Sequence, residues 1–169
     1  MKFINKKNNG FTLIETLIYI GLFTILIGGV GTSAYSITES SSRNSIKALL
    51  QSEGDFLVGK INWALTGIKN VTEPAVSLTS GQLSVTKWDS TLGTVAITLN
   101  AGKMKISCGG LPAKPLNNED ITVSDLLFIH KFDGGANPES VTASFTLSIK
   151  TLNGMPLTQE FSTTNYLRK

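Results

Sequence analysis

The 169-residue chain has few of the residues on which catalytic and disulfide-rich proteins depend. Cys108 is its single cysteine and His130 its single histidine. One cysteine excludes an intramolecular disulfide and a cysteine-rich metal site. Cys108 and His130 could be imagined as a nucleophile and its base, but each lies alone on its own predicted strand. We therefore predict a small buried Cys108 and a structural or surface His130.

Recognisable cofactor motifs are also lacking, because the sequence has no Walker sequence, GxGxxG pattern or zinc motif. The acids at Asn118-Glu119-Asp120 and near Asp133-Gly134-Gly135 could offer oxygen ligands to calcium, but no EF-hand spacing is present. Solvated loops are the simpler interpretation of both segments. The sequence thus predicts no catalytic residues, no cofactor and no metal, and indicates a protein that is not an enzyme.

Charge is scarce and unevenly placed. Charged residues make up 16% of the chain, below the roughly 25% of a typical globular domain. Three of the basic residues, Lys2, Lys6 and Lys7, lie in the first ten positions, and without them the chain has 12 basic and 12 acidic side chains. Such a neutral remainder does not support nucleic-acid binding as the main function. The N-terminal lysines instead indicate a cluster that orients a membrane segment.

Proline is absent before Pro74, and charge is absent from Thr16 to Thr38, a run of 23 residues. About 20 residues of helix cross a hydrocarbon core of roughly 30 Å. The sequence therefore predicts a leader over residues 1–10 and a single transmembrane helix over 11–38. Any cut at Gly10, on the border between the polar and apolar segments, would leave this helix on the mature protein.

Glu15 is an isolated acid one turn inside the apolar run. A carboxylate at membrane depth is costly and usually marks a function or a partner, although an acid near a helix end can also snorkel to the interface. If the chain is cut after Gly10, the new α-amine of Phe11 is a cation at the same depth. In a staggered array of helices, Glu15 of one subunit could neutralise the amine of its neighbour.

The run Gly10-Phe11-Thr12-Leu13-Ile14-Glu15, between a basic leader and a long apolar helix, resembles the processing site of type IV prepilins and type II secretion pseudopilins. The resemblance covers only the N-terminal part of the chain. It implies cleavage between Gly10 and Phe11 by a prepilin peptidase, N-methylation of Phe11, and an assembly role for Glu15. It also implies a structural subunit of a pilus, a type II secretion system or a DNA-uptake machine.

That family also implies partners and a location. The partners would be prepilin peptidase, other pilin or pseudopilin subunits, an inner-membrane assembly platform and membrane lipid. The chain would cross the inner (cytoplasmic) membrane once and then enter a cell-surface or periplasmic filament, with its head outside the cytoplasm. Two rival functions stay open: a filament-tip adhesin or DNA receptor, and a membrane-anchored surface enzyme.

The chain departs from many major pilins in two respects. It has no proline inside the membrane helix and no cysteine pair for a C-terminal disulfide loop. Gly28, Gly29 and Gly31 cluster in the helix instead, where glycine either weakens the helix or allows close packing of helices. The relatively large, disulfide-free β head favours a minor subunit over an abundant shaft subunit, and the closing Asn165-Tyr166-Leu167-Arg168 resembles the final strand of J-type or W-type minor subunits.

Apolar residues from Ile46 to Ile68 recur at spacings of three and four, which predicts an amphipathic half-helix over 39–70 that ends near Lys69. Alternation and β-branched residues then predict a β-rich head over 71–169, with hairpin turns at Asn100-Ala101-Gly102 and Asn153-Gly154 and a loop over Leu111–Asp120. The predicted strands are Gln82–Trp88, Thr94–Asn100, Lys103–Cys108, Leu126–Phe132, Val141–Leu152 and Leu157–Tyr166.

The expected fold class is therefore α+β, with a long N-terminal helix packed on an antiparallel sheet. The lollipop shape of pilins, a helical stalk with a β head, agrees with this expectation. Trp63, Trp88 and Phe132 could form an exposed aromatic binding face. We predict instead that they fill the core between helix and sheet.

Overall fold

The computed structural model describes residues 12–132, 138–150 and 156–167. Gly10, Phe11, Asp133-Gly134-Gly135, the predicted turn at Asn153-Gly154 and the final Arg168 lie outside the described residues. The chain divides into two compact units, one ending at Ser45 and the other beginning at Ile46. One long helix followed by antiparallel β-sheets makes up the described chain, so the predicted α+β fold class is confirmed.

The helix, α1 (Leu13–Leu65), is 53 residues long. In the first unit none of its described side chains is buried, although most of them are apolar. This helix is long and apolar enough to cross a membrane, judged by length and composition. Several of its hydroxyl groups donate to backbone carbonyls of the preceding turn, as when Thr24 Oγ1 donates to the Ile20 carbonyl at 2.8 Å, which satisfies a polar group that an apolar surrounding would otherwise leave without a hydrogen bond.

The helix ends at Leu65 rather than near Lys69, so the predicted end is wrong. Gly67 has φ +63°, a left-handed conformation that commonly ends helices and that glycine adopts without strain. Lys87 Nζ donates to the Trp63 carbonyl at 2.7 Å and also to the Thr66 carbonyl, two groups at the end of the helix. Ile68 has the spacing of the helical stripe, but it belongs to a strand.

Two antiparallel sheets follow, where the sequence predicted one. The strands are β1 (Ile68–Glu73), β2 (Thr79–Ser80), β3 (Leu83–Lys87), β4 (Thr94–Asn100), β5 (Lys103–Cys108), β6 (Lys114–Pro115), β7 (Ile121–Lys131), β8 (Ser140–Lys150) and β9 (Pro156–Tyr166). The five-stranded sheet has the order β1-β3-β4-β5-β6, and the four-stranded sheet has the order β2-β7-β8-β9.

The predicted bounds of β4 and β5 are confirmed, as is the turn between them, where Ala101 and Gly102 both have positive φ. β1, β2 and β6 were not predicted, and β6 lies inside the predicted loop. β7 begins at Ile121 instead of Leu126, so the predicted start is wrong. Asp125, with φ +53°, interrupts the pairing of β7 with β8 between Ser124 and Leu127. That bulge breaks the alternation from which a strand is recognised.

The core of the second unit lies between the later half of α1 and the sheets. Leu50, Leu57 and Ile61 of the helix are fully buried in one cluster with residues of both sheets. Gly54 lies on the same stripe, and the ring of Phe161 occupies the place where a Cβ would be, with Cζ 2.0 Å from that position. Phe161 in turn stacks on Phe145 with ring centroids 5.5 Å apart. Glycine at position 54 therefore lets β9 approach the helix closely.

Candidate functional site

The first turn of α1 holds Glu15, the acid that the sequence singled out. The Glu15 amide donates to the carbonyl of Thr12 at 3.1 Å and to its hydroxyl at 3.3 Å, so Thr12 caps the helix start. The free N–H groups of a first turn carry partial positive charge, which favours a carboxylate there. Glu15 is partly covered, whereas the side chains on either side of it are exposed.

Tyr19 supplies the cover. It stands four residues after Glu15, and its hydroxyl donates to Glu15 Oε1 at 3.3 Å. Sequence reasoning missed this residue, although the spacing of four was visible and places the two side chains on the same face of the helix. No other hydrogen bond to the Glu15 carboxylate occurs within residues 12–132, 138–150 and 156–167, so its Oε2 is available there.

The two remaining predicted site residues, Gly10 and Phe11, lie outside the described residues, so the structure brings neither of them to Glu15. Of the predicted pair of charged groups, the structure describes only the Glu15 carboxylate. The carboxylate is in the first turn of an apolar helix, with one oxygen held by a phenol. A cation that reached this turn would meet this negative charge, and in an apolar surrounding the attraction between the two charges would be stronger than in water.

His130 is structural, as one of the two predicted alternatives had it. It is 1% exposed on β7, its Nδ1 lies 2.9 Å from the Pro74 carbonyl, and its Nε2 lies 2.8 Å from Glu139 Oε1. The carbonyl only accepts, so Nδ1 carries the proton. The imidazole thereby ties β7 to the segment after β1 and to the start of β8.

Cys108 lies on β5 as predicted, but it is half-buried rather than buried. It belongs to the five-stranded sheet, whereas His130 belongs to the four-stranded sheet. The structure therefore does not assemble the imagined nucleophile–base pair. Among the residues that the structure describes, no group of three or more His, Cys, Asp or Glu side chains could hold a metal ion.

The prediction that Trp63, Trp88 and Phe132 fill the core is wrong, since they are 42%, 67% and 45% exposed. The aliphatic side chains together with Phe128 and Phe145 already fill the interior. The two tryptophan faces carry lysine ammonium groups instead. Lys87 Nζ is 4.8 Å from the Trp63 ring centroid, and Lys69 Nζ is 5.8 Å from that of Trp88.

Lys87 is buried, and burial lowers the pKa of its ammonium group from the ordinary value, while the nearby Cys108 acts in the opposite direction. Its ammonium donates to carbonyls at the end of α1, where the helix dipole is negative. These hydrogen bonds explain why a lysine is buried here without assigning it a catalytic role. Lys87 caps the helix.

Residues 5–31 match the family described as the prokaryotic N-terminal methylation motif. No curated protein and no solved structure is significantly similar to the chain. The matched range contains Gly10, Phe11 and Glu15 and extends into the apolar part of α1. The chain thus carries the prepilin N-terminal methylation motif on an apolar helix, as a type IV pilin-like protein does.

Proposed function

We propose that the chain is a minor pilin or pseudopilin subunit of a type IV pilus, a type II secretion system or a DNA-uptake filament. The observation that carries the proposal is the coincidence of two features. The methylation motif covers residues 5–31, and the part of α1 over residues 13–38 is mostly apolar and unburied, with one acid in its first turn. The motif supports a subunit processed by prepilin peptidase and assembled with other pilin subunits.

The proposed subunit has four parts: a leader over 1–10, a membrane and assembly helix over 11–38, an amphipathic half-helix from residue 39 to the helix end at Leu65, and a β-rich head that begins with β1. Prepilin peptidase removes the leader after Gly10 and methylates the Phe11 amine. The helix holds the subunit in the inner membrane with the head outside the cytoplasm. An assembly platform then extracts the subunit into the filament.

Assembly in this proposal depends on charge neutralisation. An unpaired Glu15 carboxylate in lipid is costly, and so is an unpaired amine on Phe11. When the amine of one subunit meets Glu15 of another, both costs fall together, so the paired helices are favoured over separate ones. The pair forms only after cleavage, because the uncut leader leaves no amine at Phe11.

A second apolar stripe on α1 supports packing against a neighbouring subunit. Leu49, Phe56 and Trp63 are exposed and spaced seven residues apart, on a different face from the buried Leu50, Leu57 and Ile61. Residues seven apart lie on one side of a helix, as in the seam of a coiled coil. A helix that buries one stripe in its own head and exposes another suits a subunit that packs in an array.

One observation favours the rival function of a tip adhesin or DNA receptor. The exposed ring of Trp88, with Lys69 above it, is the kind of surface on which sugars or bases stack. The neutral balance of charge outside the leader counts against nucleic acid as the main ligand. We therefore place this function second.

The processing step is tested by expressing the full chain with a prepilin peptidase and sequencing the N-terminus of the product. The mature chain should begin with N-methylated Phe11, and Gly10→Val should keep the leader. Gly21→Ala is the matched control, because Gly21 lies in the same apolar helix with open space around it and should not affect processing. Normal maturation of Gly10→Val would contradict the proposal.

The assembly step is tested by co-expressing tagged parent and Glu15→Ala chains in the source cell. The ratio of the two chains is then measured in sheared filaments and in the membrane. We expect Glu15→Ala to be cleaved but depleted from filaments. Equal incorporation of the two chains would refute the role of Glu15, even if processing occurs as expected.

A further inference from the structure

Tyr19 and Glu15 are placed to interact by the geometry of α1 itself. Side chains of an α-helix lean toward its N-terminus, so a long side chain at one position covers the residue four positions before it. Tyr19 follows this rule, and its hydroxyl reaches Glu15 Oε1 at 3.3 Å. The result is visible in the partial cover of Glu15 within an otherwise exposed turn.

We propose that Tyr19 is a positioning residue for the Glu15 carboxylate. Its hydroxyl holds one carboxylate oxygen and leaves the other directed at the N-terminal amine of a neighbouring subunit. This inference rests on the proposed function, since it assumes that Glu15 receives that amine.

A carboxylate can bind a phenol through one oxygen and an amine through the other. An ionised carboxylate accepts about four hydrogen bonds through its two oxygens, so a phenol on Oε1 does not displace an amine from Oε2. The phenol is neutral, and it therefore lowers the cost of a lone carboxylate in lipid without cancelling its charge. The negative charge remains for the incoming cation. A tyrosine near a membrane boundary also keeps its polar end toward the headgroups, the direction in which Glu15 lies.

Holding the carboxylate has a second consequence. A free Glu side chain samples several rotamers and can turn toward the interface, where water competes for it. A hydrogen bond to Tyr19 restricts the side chain to one arrangement along the helix. The neighbouring amine then meets an acceptor already in place, and less conformational freedom is lost when the two pair.

Tyr35 provides a matched control within the same helix. It is exposed on α1 like Tyr19, but the residue four positions before it is Gly31, which has no side chain to bond. Replacing either tyrosine by phenylalanine removes one hydroxyl and keeps the ring. Any effect common to both variants therefore reports membrane anchoring, and an effect confined to position 19 reports the contact with Glu15.

The test measures competitive incorporation of full-length Tyr19→Phe, Tyr35→Phe, Glu15→Gln and the double variant Glu15→Gln/Tyr19→Phe against the parent. We expect Tyr19→Phe to enter filaments roughly tenfold less well than the parent, the factor of a hydrogen bond to a charged group. Tyr35→Phe should match the parent. The double variant should match Glu15→Gln, because a neutral side chain at position 15 has no negative charge to present to the amine, so its orientation no longer affects the pairing.

A second measurement uses infrared spectra of the same full-length chains, labelled with ¹³C-glutamate and placed in lipid vesicles. The frequency of the Glu15 carboxylate band reports its hydrogen bonding and does not depend on how firmly the tyrosine anchors the helix in the membrane. The Glu15 carboxylate band is identified as the one missing from Glu15→Gln. It should shift in Tyr19→Phe and remain in place in Tyr35→Phe. An unshifted band in Tyr19→Phe would overturn the inference even if incorporation fell.

The inference and the proposed function fail in different ways. The positioning role would be overturned if Tyr19→Phe entered filaments normally, or if Tyr35→Phe lost as much incorporation as Tyr19→Phe. In either case a defect in Glu15→Gln would leave the proposed function standing. A further loss in the double variant relative to Glu15→Gln would also overturn the positioning role. Normal incorporation of Glu15→Gln would overturn both.

Discussion

Replacing Gly54 by alanine should destabilise the head, although alanine favours helix. The new Cβ would lie 2.0 Å from Phe161 Cζ and 2.2 Å from Cε1, far inside van der Waals contact, so the ring must move. Overpacking of this kind costs about 1–3 kcal/mol, and disturbing the stack of Phe161 on Phe145 adds about 0.5–1.5 kcal/mol. Alanine returns about 1 kcal/mol of helix propensity. We expect a net loss of roughly 1–3 kcal/mol.

Gly59→Ala is the matched control for this prediction. Gly59 lies on the same half of α1 with nothing within 4 Å of its added Cβ, so only the helix propensity changes. This variant should be more stable by about 0.5–1 kcal/mol. Proteolysis of the full chain in detergent over a urea series reports the free energy of unfolding of the head for both variants. A stable Gly54→Ala, or two variants with the same sign, would refute the packing of Phe161 against position 54.

Three further predictions concern buried and exposed groups of the head. Burial lowers the pKa of Lys87 below 10.5, so just below pH 10.5 the unfolded chain binds more protons at this lysine than the folded chain does. The free energy of unfolding should therefore rise with pH up to about 10.5. Lys87→Met should remove this slope from urea unfolding measured across alkaline pH. His130→Ala should cost about 1–3 kcal/mol in the same assay, because it removes the imidazole hydrogen bonds to Glu139 and to the Pro74 carbonyl, and a loss below about 0.5 kcal/mol would argue against these contacts. Trp88→Ala should change stability by less than about 0.5 kcal/mol if the ring is exposed, and a loss typical of a core tryptophan would show that it is not.

Local patterns in the sequence were sufficient for several elements. β4 and β5 alternate regularly and are joined by a turn at Asn100-Ala101-Gly102, so their bounds were predicted correctly. The apolar run from Phe11 contains no charge between Thr16 and Thr38, and the methylation motif lies in its first part. Each of these signals is complete within a few neighbouring residues. None depends on what the segment packs against.

The errors share a different cause. Ile68 was predicted to be helical because its spacing fits the stripe, but Gly67 and pairing with β3 place it in a strand. β2 and β6 are two residues long and exist only through their partners in other parts of the chain. Trp63 and Trp88 were predicted to be buried from their size alone. Which large side chains fill the core depends on how two sheets and a helix meet.

The sequence by itself determined the N-terminal part of this protein: a basic segment before Gly10, the methylation motif, and an apolar helix with one acid in its first turn. In the proposed function these features interact with lipid, a peptidase or a neighbouring copy, so they need no tertiary packing and can be recognised in the order of residues. Tertiary structure alone decided the division into two sheets, the close approach of Phe161 to Gly54, the burial of His130 and the exposure of the tryptophans. Those outcomes depend on contacts between residues far apart in the chain, and spacing along the sequence carries no information about them.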